Sequence, residues 1–166
     1  MNVCRSLAFV FVIGISLWTA ATATAAQTYN DRISGYEYAF TSTEGRFAGS
    51  ASGALPGLWE TDVRHTPLCL SCTPTATITG GSFSLATGSG VVSGTFTGGT
   101  VQVINPGANC TNQTFAVKGP LGAIGRGSAG SGTGLFSATL THFRHRIFGS
   151  CVSYAASVNG TLSLTF

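Results

Sequence analysis

GLFSATLTHFRHRIF, residues Gly134 to Phe148, runs through Gly149-Ser150 into CVSYAASVNGTLSLTF, residues Cys151 to Phe166. Both stretches alternate with period two, the spacing of a β-strand with one buried face. In the first, Phe136, Ala138, Leu140, His142 and Arg144 share one parity. In the second, Val152, Tyr154, Ala156, Val158, Gly160, Leu162, Leu164 and Phe166 do. The glycine and serine between them predict a hairpin turn.

Further alternating runs lie upstream, and none has helical period. Tyr36 to Phe40 places its aromatics on one face, and Arg46 to Ala54 alternates small with polar residues. Leu58 to His65 sets Trp59, Thr61, Val63 and His65 against Glu60, Asp62 and Arg64. Thr75 to Thr87 changes phase at Gly80-Gly81, which predicts a β-bulge. Val91–Phe96 and Thr100–Ile104 flank Gly98-Gly99, read as a hairpin turn. Gln113 to Lys118 is one more strand, and the Gly/Ser-rich run Gly119 to Gly134 reads as a loop.

Long strands rich in glycine suit a small closed barrel, where glycine permits tight curvature. The expected fold is all-β: a small antiparallel up-and-down, calycin-like barrel of about eight to ten strands. A two-sheet sandwich is the alternative.

The N-terminal segment reads as an export signal. Met1 to Arg5 carries one positive charge, Leu7 to Trp18 is apolar, and small residues run from Thr19 to Ala26. An apolar run of about a dozen residues suits a signal peptide, whereas a membrane helix needs about 20. The expected division is a signal peptide at 1–26 and one barrel domain at 27–166, secreted, periplasmic or at the cell surface. Cys4 falls before the apolar run, which leaves Cys69, Cys72, Cys110 and Cys151. An even count in an exported chain favours disulfides; four cysteines allow three pairings, of which Cys69–Cys72 within a loop with Cys110–Cys151 between strands is the favoured one. Cys69-Leu-Ser-Cys72 lies between Pro67 and Pro74 in a loop, not at a helix start, which disfavours a redox or metal role.

Charged residues make up only 8% of the chain, with a formal net charge of +3, so nothing points to nucleic acid. All acids (Asp31, Glu37, Glu44, Glu60, Asp62) lie at or before residue 62. Any catalytic carboxylate must come from that part. Glu60 and Asp62 share a face, read as a solvated edge. Gly125-Arg-Gly-Ser-Ala-Gly130 matches a dinucleotide fingerprint, but no helix-forming segment follows it and no acid lies downstream to hold a ribose. No nucleophile turn, metal-binding helix motif or phosphate loop is present, so no cofactor or metal is expected.

The apolar faces of two strands run on into polar residues: Trp59 and Val63 into His65, and Phe136 to Leu140 into His142 and Arg144. Small barrels hold ligands at the mouth, with few polar groups among apolar walls. His65, His142, Arg144 and Trp59 are therefore the candidate ligand-binding residues, for a small apolar or anionic molecule. A basic strand end meeting water is the plainer reading of 142–146.

The run from Gly132 to Arg144, Phe148-Gly-Ser-Cys151 and Thr77 to Leu85 resemble β-rich secreted bacterial proteins that carry no assigned activity. The glycine-punctuated strands are also similar in architecture to allene-oxide-cyclase-like and dirigent-like barrels, with no catalytic residue matched. The first expectation of function is a non-enzymatic secreted or cell-surface barrel that binds a small ligand or another surface partner, and two further functions stand beside it. One is a barrel-cyclase-like isomerase, with His65 or His142 and Arg144 steering a small acidic apolar substrate. The other is an outer-membrane barrel, suggested by the terminal alternation ending at Phe166.

Overall fold

A computed structural model of the chain describes residues 25–70, 74–126 and 129–166. The expected signal segment ahead of them, and Cys72 with its expected bond to Cys69, lie outside these residues; Cys69 is itself disulfide-bonded. Ten strands follow one another: β1 (Thr28–Phe40), β2 (Glu44–Gly53), β3 (Gly57–His65), β4 (Thr75–Gly80), β5 (Ser82–Thr87), β6 (Gly90–Phe96), β7 (Thr100–Asn105), β8 (Gln113–Arg126), β9 (Ala129–Ile147) and β10 (Ser150–Thr165). A 3-10 turn at Ala108–Cys110 precedes β8.

All pairings are antiparallel, and the sheet closes on itself. β1 pairs with β2, β2 with β3, β8 with β9 and β9 with β10. β10 returns to β1 from Thr28↔Thr165 to Gly35↔Val158. A sandwich would leave the first and last strands as edges, so ring closure rules it out.

The gap between β3 and β8 is filled by two bent staves. β4 and β5 are halves of one, bent at Gly80-Gly81, and β6 and β7 are halves of the next, bent at Gly98-Gly99. The two bends lie side by side: Ile78 N–H donates to the Gly99 carbonyl at 2.9 Å and Phe96 N–H to that of Gly81 at 3.0 Å. Gly98-Gly99 is therefore a bend and not the hairpin turn that its composition suggested. Its glycines take φ +155° and +120°, and a Cβ on Gly99 would strike the Lys118 carbonyl of β8. The turn of that region is Gly88-Ser89, between Thr87 and Gly90. Ten strands thus make eight staves.

The run Gly119 to Gly134 also differs from expectation. Most of it belongs to β8 and β9, paired from Gly119↔Phe136 to Leu121↔Gly134. Glycine serves packing here, since a Cβ on Gly119 would meet the Phe96 ring at 2.7 Å.

Inward parity builds the core. Trp59, Phe83, Leu85, Val92, Leu121, Ile124, Phe136, Leu162 and Leu164 are at most 2% exposed. Phe136 lies edge-on to Trp59 and Phe96, with centroids 6.0 and 5.8 Å away. Each such side chain contributes about 1.5–3 kcal/mol by leaving water. These large groups fill one end of the barrel. At the other end, where β1, β3, β7 and β9 finish, apolar and polar groups surround open space.

Alternation in β10 breaks at a bulge between Ser153 and Ala155. Val158, Leu162 and Leu164 point inward as the parity requires. Tyr154 within the bulge and Val152 beyond it, expected on the same face, are 68% and 42% exposed.

Candidate functional site

At the open end lies a cavity of about 230 Å³. Phe47, Val63, Val101, Phe115, Val117 and Leu140 form its apolar wall, with Leu68, Leu70 and Phe40 at the rim. Glu37, His65, Gln113 and His142 are its main polar groups.

Glu37 and His142 form the centre of the site. Imidazole Nε2 lies 2.6 Å from carboxyl Oε2, and the side chains are only 12% (His142) and 3% (Glu37) exposed. An isolated carboxyl group at that depth would be costly, and the imidazole supplies its partner. Oε1 of Glu37 forms no hydrogen bond among the described residues, so one acceptor is left at the cavity wall. The His142 ring is held between Phe40 and Phe115, centroids 5.4 and 5.3 Å away.

Local chain geometry sets this up. Ile33 is buried, so odd positions of β1 face inward, and Glu37 follows on that parity. A bulge between Glu37 and Ala39 then shifts the register, and Phe40 reaches the rim against His142. Across β8–β9, His142 stands opposite Gln113, whose amide is engaged in donating to the Pro106 carbonyl at 3.0 Å.

The residues singled out from sequence separate into two groups. His142 and His65 both line the cavity, with His65 Nδ1 2.8 Å from the Thr66 carbonyl. Arg144 does not line it: its guanidinium donates to the Gly107 carbonyl at 3.0 Å, and its backbone N–H donates to Asn112 Oδ1 at 3.2 Å. Trp59 sits deeper, its indole N–H shared between the Ser34 and Ser50 carbonyls at 3.3 and 3.1 Å. Glu60 and Asp62 lie on the outer wall, where Glu60 accepts the Tyr38 hydroxyl at 2.6 Å and Asp62 accepts Ser82 N–H at 3.0 Å. Glu37 is the residue that sequence reading missed. The signal for it was Ile33, the one large aliphatic residue of β1, which fixes the inward parity.

Cys110 and Cys151 are joined, Cα atoms 5.5 Å apart, as expected. No group of three or more potential metal ligands occurs among the described residues.

Fold and site together define a closed antiparallel β-barrel with a buried carboxyl–imidazole pair in a largely apolar mouth cavity. No family model, curated protein or solved structure matches the chain.

Proposed function

We propose that this chain is an exported ligand-binding barrel whose mouth cavity takes a small, mostly apolar molecule bearing one hydrogen-bond donor. The observation that carries this reading is the Glu37–His142 pair, buried in an apolar wall with Glu37 Oε1 unengaged among the described residues. Binding sites of this kind combine apolar lining with a few placed polar groups. An acceptor at the wall selects a donor such as an amine or hydroxyl. The anion considered from sequence loses its expected partner there, because Arg144 does not line the cavity and its guanidinium donates to the Gly107 carbonyl. At about 230 Å³ the space lies below the range of about 300–1,000 Å³ usual for drug-sized ligands, which limits the occupant to a small molecule. The Cys110–Cys151 bond supports an oxidising compartment.

The outer wall weighs against the outer-membrane alternative. Asn30, Arg32, Ser50, Ser52, Glu60 and Lys118 face outward and interrupt the exposed apolar residues Tyr36, Leu58, Val91 and Leu135, so the outer wall is mixed and not a continuous apolar band. A membrane barrel needs an apolar outer band.

The isomerase alternative keeps one feature in its favour. A carboxyl group that fixes an imidazole is a recurring proton-transfer arrangement.

The test is native mass spectrometry of the protein from an oxidising compartment, before and after organic extraction, with titration by N-phenyl-1-naphthylamine. This probe is apolar and has one N–H donor. Saturable one-to-one binding that is lost in Val101→Trp, which fills the cavity, supports the reading. No extractable mass, together with probe binding unchanged in Val101→Trp, would end it.

A further inference from the structure

Residues 143–157 leave the barrel wall as a two-stranded hairpin. The last β9 residue paired with β8 is His142, and the first β10 residue paired with β1 is Val158. Beyond them β9 and β10 pair only with each other, up to Ile147↔Ser150. Such a hairpin alone is marginal in water. Here the Cys110–Cys151 bond and the contacts of Arg144 with Gly107 and Asn112 tie its inner face to the loop before β8.

Its outer face and tip are largely exposed, Tyr154 meeting only the Phe143 ring of the same hairpin among the described residues, centroids 6.5 Å apart. Ile147, Val152 and Tyr154 are 46%, 42% and 68% exposed, and Phe148 at the tip is completely so. Phe148 and Gly149 both take positive φ, +48° and +83°, the geometry of a two-residue type I′ turn. That turn favours asparagine or glycine first, and phenylalanine adopts left-handed backbone at a cost. Its ring is fully exposed, so packing among the described residues does not compensate that cost. Behind the apolar tip stand His145 and Arg146, which form no hydrogen bond or ion pair among the described residues. No acid follows residue 62, so the finger carries positive charge alone. Phe40 and Leu70, 62% and 41% exposed, flank the cavity at the same end.

We infer that this hairpin docks the mouth of the barrel onto an anionic lipid surface, with Phe148 and Ile147 entering the headgroup boundary and Arg146 and His145 resting on the headgroups. Apolar residues at the point of furthest projection, with cations set just behind, suit such an interface. A rigid base keeps the tip presented without loss of entropy on docking. The inference does not depend on what the cavity holds.

The test is co-sedimentation of the disulfide-bonded protein with phosphatidylcholine vesicles, with and without phosphatidylglycerol. Binding is expected to the mixed vesicles, weakened by salt. Arg146→Gln is expected to weaken it about fivefold. Phe148→Asn is expected to weaken it about tenfold or more, from the lost apolar burial. Because asparagine suits the turn, Phe148→Asn should keep or raise the melting temperature, so that loss of binding is not loss of fold. Absence of binding to mixed vesicles, or binding unchanged in Phe148→Asn, overturns the inference. So does a protein occupant, seen as self-association in sedimentation that Phe148→Asn abolishes while vesicles remain unbound.

Discussion

Tyr38 shows how much one outward side chain can report. Its hydroxyl donates to Glu60 Oε1 at 2.6 Å across β1, β2 and β3. That hydrogen bond, then partial desolvation and the Glu60 charge, raise the phenol above its ordinary value of 10.0. The bond is thus present in full below about pH 10 and lost as pH rises through the raised folded value. Stability should fall above about pH 10, and Tyr38→Phe should remove part of that fall. Urea midpoints across the alkaline range check the first expectation. Urea midpoints of Tyr38→Phe over the same range check the second, and the difference in tyrosinate absorbance between the two proteins should develop above about pH 10. At the same scale, the inward face of β1 was legible from Ile33. The partnership of Glu37 with His142 was not, because 105 residues separate them and only the closed ring brings them together.

Among the elements, period-two patterning located most strands, because burial on one face is written directly into the residue order. Bulges were harder to see. Those at Glu37/Ala39 and Ser153/Ala155 reverse which parity faces inward, and neither is marked by glycine. The paired glycines at 80-81 and 98-99 were visible, but composition does not distinguish a bend from a reversal. What decides is whether the flanking strands find each other, and β6 and β7 instead find β5, β4 and β8. The hairpin of β9 and β10 owes its rigidity to Cys110–Cys151, which closes a separation of 41 residues. Replacing both cysteines by serine should cost about 2–4 kcal/mol, read from the denaturant midpoint. Hydrogen exchange should quicken first in 143–157, since that region has no second neighbour in the sheet.

In the whole molecule, stability rests on closure. Thr28 meets Thr165 at the seam of β1 and β10, a sequence separation of 137. Contacts of that span impose loop entropy before they reward it, so folding belongs in the millisecond-to-second range of β-barrels. Leu164 is fully buried beside that seam, opposite Tyr29. Leu164→Ala should cost about 2–5 kcal/mol through the cavity it leaves. If the seam forms last, stopped-flow kinetics will show the loss mainly as faster unfolding. An equal loss in the folding rate would instead place closure within the transition state.

The residue order by itself determined the all-β class and the antiparallel meander, and it narrowed the cysteine pairing and the polar strand ends to a few alternatives. Each is a matter of local periodicity, count or parity along one strand. Only the tertiary structure decided that Arg144 turns to Gly107, that Glu37 joins His142, and that the last hairpin stands clear of the wall. The physical reason is common to all three. Which neighbour a side chain meets depends on strand register across the ring, and register is set jointly by bulges and by closure, which no single strand encodes.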